Sequence, residues 1–192
     1  MKNLIIVSAP SGTGKTTICK ALQERDSSIK FSVSCTTRKR RADEKDGIDY
    51  SFMTEKEFSN GINNKLFAEW EKIHGNYYYG TLESSLTNAI NKNQLLLLEL
   101  DVKGAMEIKK IYSDHTISIF IEPPSLKELE LRLENRGTES NKNIKKRLER
   151  IDEEMSCKSK FDYCIINDDI NRAVNEIMSV IQHQNEGVYN GS

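Results

Sequence analysis

Residues 4–17, Leu4-Ile5-Ile6-Val7-Ser8-Ala9-Pro10-Ser11-Gly12-Thr13-Gly14-Lys15-Thr16-Thr17, set an apolar strand, a loop with two glycines and a helix start in immediate succession. Glycines let backbone N–H groups converge on phosphate oxygens, the following helix adds its positive end, and a lysine there reaches terminal phosphates. The chemistry is nucleoside triphosphate binding by a P-loop, with Ala9, Pro10, Ser11, Gly12, Thr13, Gly14, Lys15, Thr16 and Thr17 forming the cradle. The Thr16 hydroxyl supplies a ligand for magnesium. The strict pattern G-x-x-x-x-G-K-[ST] fails at Ala9, a harmless change if that residue keeps a negative φ. A P-loop does not name the reaction, because ATPases, GTPases and small-molecule kinases share it.

A second phosphate site is suggested by four consecutive basic residues, Arg38-Lys39-Arg40-Arg41, after the strand-like piece Phe31–Ser34. Guanidinium groups grip phosphate in a fork, so Arg38 and Arg41 with the Tyr50 hydroxyl suit a phosphomonoester. Taken alone the cluster reads as a solvated loop. Beside a P-loop it is what a nucleoside monophosphate kinase requires. Asp101, at the end of the run Leu95–Leu100, also looks like the carboxylate of a Walker B strand, which orders magnesium and its waters. Residues 125–150 carry a further run of cations, Arg132, Arg136, Lys142, Lys145, Lys146, Arg147 and Arg150, whose plain reading is a solvated helical surface.

These groups need a rigid frame. Leu4–Val7, Leu95–Leu100, Thr116–Ile121 and Tyr163–Ile166 are short and aliphatic, as strands buried on both faces of a parallel sheet are. Thr16–Glu24, Leu82–Asn91, Val102–Ile111, Leu126–Asn135, Asn143–Met155 and Asn171–His183 have helical periodicity, so an α/β fold with a parallel sheet flanked by helices is expected. Residues 31–80 break the alternation with strand-like pieces at Phe31–Ser34, Tyr50–Met53, Phe67–Lys72 and Tyr77–Tyr79, which predicts a small mixed insert.

The chain has 192 residues, enough for one domain that buries a core without disulfides. Its 28 Lys and Arg against 29 Asp and Glu remove the global positive charge on which non-specific nucleic-acid binding depends. Cys19, Cys35, Cys157 and Cys164 form no Cys-x-x-Cys pair, so reduced thiols and a cytoplasmic location are expected. No apolar run has the length of a membrane span.

Beyond the P-loop, a series of spaced motifs resembles the guanylate kinase family: Ser34 with Thr36-Thr37-Arg38, Gly47 to Tyr50, Glu69-Trp70, Gly75-Asn76-Tyr77, Glu99-Leu100-Asp101-Val102-Lys103-Gly104, Arg132 through Arg136-Gly137-Thr138, and Asn167-Asp168-Asp169. The resemblance covers about residues 3 to 183. It implies a P-loop NTPase fold organised as a core (1–30, 81–124, 151–183), a GMP-binding insert (31–80), a helical lid (125–150) and a disordered tail (184–192) within a single domain. It implies transfer of the γ-phosphoryl group of ATP to GMP, with ATP and GMP as small-molecule substrates and magnesium as cofactor.

By the same resemblance Arg38, Arg41, Tyr50 and a tyrosine of the Tyr77–Tyr79 run bind the GMP phosphate, and Ser34, Glu69 and Thr81 bind guanine. Chemistry supports Glu69 independently, since one carboxylate can accept from the adjacent N1–H and amino group that guanine has and adenine lacks. Arg132, Asn167 and Asp168 would touch the adenine of ATP, although 167–169 equally suit a helix cap. Arg136 and Arg147 would close over the phosphates, and Asp101 stays divided between the metal shell and the GMP site. The family shows Gly-Asn-Tyr-Tyr-Gly where this chain has one more tyrosine, Gly75-Asn76-Tyr77-Tyr78-Tyr79-Gly80, so the phosphate contact is Tyr79 or, one register away, Tyr78. Two other functions fit parts of the pattern: a non-catalytic phosphopeptide-binding scaffold domain, which would lack a working P-loop, and a P-loop kinase acting on a phosphorylated ribose, which would give Glu69 and Ser34 no base to read.

Overall fold

The computed structural model describes residues 1–73, 77–125, 127–129 and 151–186. Five strands, β1 (Leu4–Ser8), β2 (Lys30–Phe31), β7 (Leu96–Leu100), β8 (Thr116–Glu122) and β9 (Tyr163–Ile166), form an all-parallel sheet in the order β2-β7-β1-β8-β9. Helices α1 (Lys15–Arg25), α3 (Glu83–Asn91), α4 (Val102–Ile111) and α5 (Ile170–Glu186) cover it. Alternation along β1 makes the two layers. Ile5 and Val7 face Ile18 and Leu22 of α1 and Ile177 of α5, while Leu4 and Ile6 face Leu86 of α3 and Ile108 of α4. All of these side chains are fully buried, and cutting one such as Ile6 to alanine costs about 2–5 kcal/mol.

A second sheet runs β4 (Ser51–Phe52), β3 (Cys35–Thr36), β6 (Tyr77–Leu82), β5 (Phe67–Ile73), with β3–β4 parallel and the β5–β6 hairpin antiparallel. Helix α2 (Glu55–Asn63) packs on one face of it through Phe58 and starts in a capping box, Thr54 to Glu57.

The four long core strands and the helices α1, α3, α4 and α5 lie within a few residues of their expected positions. Three boundaries differ. The insert limit at 31 cuts β2, whose Phe31 pairs with Leu97 in the core sheet, so of the expected strand Phe31–Ser34 only Phe31 is in a strand and residues 32–34 lead on to the second sheet. The limit at 80 falls inside β6, because the hairpin needs Thr81 and Leu82 to pair with Glu69 and Phe67. The tail does not start at 184: α5 continues to Glu186, with Gln184 Nε2 donating to the Tyr163 hydroxyl at 2.8 Å and Asn185 Oδ1 accepting from the Lys2 backbone N–H at 3.2 Å. Residues 127–129 and 151–156 are helical. The rest of the expected helices Leu126–Asn135 and Asn143–Met155, with Arg132, Arg136 and Arg147, lies outside the described residues, as do Gly75, Asn76 and 187–192. No described helix is long and apolar enough to cross a membrane.

Candidate functional site

The first loop is shaped for an anion. Gly12 and Gly14 take φ of 92° and 96°, a region closed to most side chains, whereas Ala9 is outside it, so the missing first glycine leaves the loop intact. Helix α1 begins at Lys15 with Gly14 as its N-cap, no side chain capping it and no acidic residue in its first turn. Its leading N–H groups therefore remain for a ligand. Lys15 Nζ donates to the Leu100 carbonyl at 3.0 Å and the Thr16 hydroxyl donates to Glu99 Oε1 at 2.6 Å. Glu99 is the partner of Val7 across β1 and β7, which fixes its distance from the loop. Sequence reasoning gave it no role. The signal was there, a lone carboxylate in an otherwise aliphatic strand. Together Thr16 and Glu99 present two hard oxygens suited to a divalent cation.

Asn167 sits behind the loop. Asn167 Nδ2 donates to the Thr13 carbonyl at 2.7 Å, and a Cβ on Gly14 would come 2.7 Å from that nitrogen, so Gly14 is required for packing as well as for φ. Asp168 pairs with Arg172 at 2.6 Å, and Asp169 Oδ1 accepts from the Arg172 backbone N–H at 2.8 Å, which makes Asp169 the cap of α5.

The basic run is organised by a residue not anticipated, Glu44. Its carboxylate takes Arg38 in a two-pronged pair at 2.6 and 3.0 Å, accepts the Arg41 backbone N–H at 2.8 Å and draws the Arg41 guanidinium to 3.8 Å. Arg38 and Glu44 are both largely buried, while Arg41 stays open to solvent. The guanidinium of Arg38 also lies over the Tyr50 ring, 5.3 Å from its centre. The bonds from Arg38 hold Glu44 ionised, and Glu44, then the Tyr79 hydroxyl, keep Arg38 firmly protonated. Burial pushes the Tyr50 phenol up to about 12. Two guanidinium groups and two phenol hydroxyls are thus gathered around the Glu44 carboxylate, donors of the kind a phosphate dianion takes once it displaces that carboxylate.

The hairpin puts one tyrosine of the run beside them. Tyr79 meets Tyr50 edge-on with ring centres 6.1 Å apart. Tyr78 points to the opposite face, stacked on Phe58 at 5.2 Å and beside Trp70 at 6.0 Å, with Lys72 Nζ 5.0 Å above its ring. We expect Tyr79→Phe to weaken GMP binding by about 0.5–3 kcal/mol and Tyr78→Phe to leave it unchanged. Titration of both variants with GMP checks this, and a loss confined to Tyr78→Phe would reverse the register.

On the Tyr79 face of the hairpin, Thr81 and Glu69 stand directly opposite each other. The Thr81 hydroxyl donates to Glu69 Oε1 at 2.6 Å, and both residues are buried. The other oxygen, Oε2, lies against the start of α4, where a Cβ on Gly104 would come within 2.7 Å, so the close approach depends on that glycine. Asp101 caps α4 by accepting from Gly104 N–H at 2.9 Å and stands near Glu69. Burial, opposed by Thr81 and reinforced by Asp101, raises Glu69 to about 7.

The loop and the hairpin open onto one cavity of about 570 Å³, lined by Lys15 and Thr16 on one side and by Ser34, Arg41, Tyr50, Glu69 and Tyr79 on the other. Thr13 and Thr81 are buried behind these walls.

Similar proteins agree with this arrangement. A sequence model described as guanylate kinase matches residues 1–184. The guanylate kinase of Chlorobaculum tepidum is 46% identical over 93% of this chain and 91% of its own length. That of Caldanaerobacter subterraneus is 43% identical over 93% of this chain and 85% of its own. The crystal structure of guanylate kinase from Anaplasma phagocytophilum superposes with a TM-score of 0.77 at 30% identity, covering 94% of this chain and 85% of that one. With a full-length family match and relatives this similar over nearly the whole chain, the protein belongs to the guanylate kinase family.

Proposed function

We propose that this chain transfers the γ-phosphoryl group of ATP to GMP, giving ADP and GDP. The observation that carries the reading is the hairpin face on which the Glu69–Thr81 pair stands one step from Tyr79, with Arg38 and Tyr50 beyond it, across a shared cavity from the P-loop. Glu69 accepts from guanine N1–H and the 2-amino group, and Ser34, Thr81 and Asp101 complete the base pocket. Arg38, Arg41, Tyr50 and Tyr79 hold the GMP phosphate. Residues 9–17 wrap the ATP phosphates, with Lys15 at the transferring group. By family resemblance Asn167, Asp168 and Arg132 would contact the adenine, and Arg136 and Arg147 would close over the phosphates; the three arginines are outside the described residues.

In-line transfer asks little covalent work of the protein, so rate comes from positioning and from positive groups facing the spreading charge. Lys15 provides such charge on the donor side and Arg38 and Arg41 fix the acceptor oxygen. Thr16 and Glu99 fit magnesium, which when bound with ATP neutralises phosphate charge and orients the leaving group. We assign the second sheet with α2 to the acceptor and the five-stranded core to the donor.

A turnover assay with ATP and GMP, AMP, CMP, UMP or ribose 5-phosphate tests the reading. GMP is expected to be phosphorylated with AMP slower by about 10⁴-fold, because AMP leaves the Glu69 carboxylate without its donors. Comparable rates with AMP or with ribose 5-phosphate would refute it.

The raised Glu69 also predicts a pH effect on the empty enzyme. Its folded pKa of about 7 lies above the ordinary carboxylate value of 4.5, so the folded protein binds this proton more tightly than the unfolded chain. The resulting stability is present at low pH and is lost as pH rises from about 4.5 through 7. Relative to Glu69→Gln, the wild type is expected to lose up to about 3 kcal/mol between pH 5 and 8, read from urea unfolding at each pH. Parallel stability curves would show that Glu69 is ionised at no cost.

A further inference from the structure

We propose that Glu71 is a further specificity residue of the acceptor site, accepting a hydrogen bond from the ribose 2′-hydroxyl of the acceptor nucleotide. The inference rests on the GMP reading above. Residues two apart on a strand share a face, so Glu71 points to the same side of β5 as Glu69, about 7 Å further along. Opposite Glu69 is Thr81, and opposite Glu71 is Tyr79. The first rung reads the base. The second carries a phosphate ligand on one strand and Glu71 on the other. Glu71 thus stands one rung from the base contacts in the direction of the phosphate clamp, where a nucleotide carries its sugar.

The side chain is built to receive a donor. Lys103, from the first turn of α4, holds Oε1 at 3.2 Å and fixes the carboxyl's orientation. Oε2 is buried in the cavity wall and takes no N–H or hydroxyl donor from the described residues; the carboxyl instead faces that of Asp101, and burial together with that neighbour raises Glu71 to about 7. Two carboxyls facing each other repel unless a proton or a donor lies against them, and the sugar offers hydroxyl donors at that place. Nothing else in the reaction uses this residue.

The test compares kcat/KM for GMP, dGMP and IMP in the wild type, Glu71→Ala and the isosteric Glu71→Gln, with thermal unfolding as a folding check. The wild type is expected to favour GMP over dGMP, and Glu71→Ala to reduce that preference about three- to tenfold while the GMP-to-IMP ratio stays within about twofold. Glu71→Gln, whose amide oxygen still accepts, is expected to fall between the two and serves if the alanine variant does not fold. Equal use of GMP and dGMP by the wild type, or an unchanged ratio in both variants, would overturn the proposal. A collapse of the GMP-to-IMP ratio instead would put Glu71 on the 2-amino group and overturn it too. Failure of the wild type to phosphorylate GMP at all would sink the underlying reading rather than this one.

Discussion

Lys15→Ala will lower phosphoryl transfer by on the order of 10³-fold or more while leaving the fold and GMP binding nearly as they were. The size follows from where the charge sits. Lys15 opens α1 at the mouth of the glycine loop, and no other described cation lines the donor wall beside it except Lys20 further along the helix. In the empty site its ammonium is parked on the Leu100 carbonyl at 3.0 Å, a contact whose loss costs about 1 kcal/mol and does not unfold the domain. Single-turnover rates with ATP and GMP, beside a melting curve and a GMP titration, check all three parts. Near wild-type turnover would remove this loop from the donor site.

The second large effect concerns choice of base. Glu69→Gln is expected to cut the preference for GMP over AMP by at least about a hundredfold, because the amide accepts with one atom and turns N–H groups toward guanine's second donor. Stability is expected to change less than discrimination, since Thr81 can still donate to the amide oxygen at the position where it now meets Oε1. Rates with both nucleotides in the variant decide the matter. An unchanged preference would leave Glu69 as a structural carboxyl between hairpin and helix.

How much of this was readable in the sequence depended on burial. β1, β7 and β8 are covered on both faces, so they appear as short, mostly apolar runs, and the helices over them show their buried stripes. β2 has two residues and no pattern to show. Helix α2 buries only Phe58 and Gly61 and was missed, although Thr54 and Glu57 spell out its capping box. The P-loop and the basic run were legible as types at fixed spacing. The roles of the groups that hold them were not, because Glu44, Glu99 and the Tyr79 register act through contacts between elements: Glu99 through its bond with Thr16, and Tyr79 through which side of β6 meets Tyr50 rather than Phe58. The extra tyrosine was the natural place for doubt, and strand alternation puts Tyr79 beside Tyr50 and Tyr78 on the opposite face, against Phe58.

The bond between Asn167 and Thr13 joins positions far apart in the order of synthesis. β1 leaves the ribosome first, yet its two sheet neighbours are β7 and β8, and the brace on its loop arrives with the end of β9. A nascent chain therefore carries a complete phosphate-binding motif long before it has a platform for it, with the apolar flanks of β1 uncovered meanwhile. The brace on the loop thus exists only once the chain has been made through Asn167, and β1 finds both of its sheet neighbours in strands made after it.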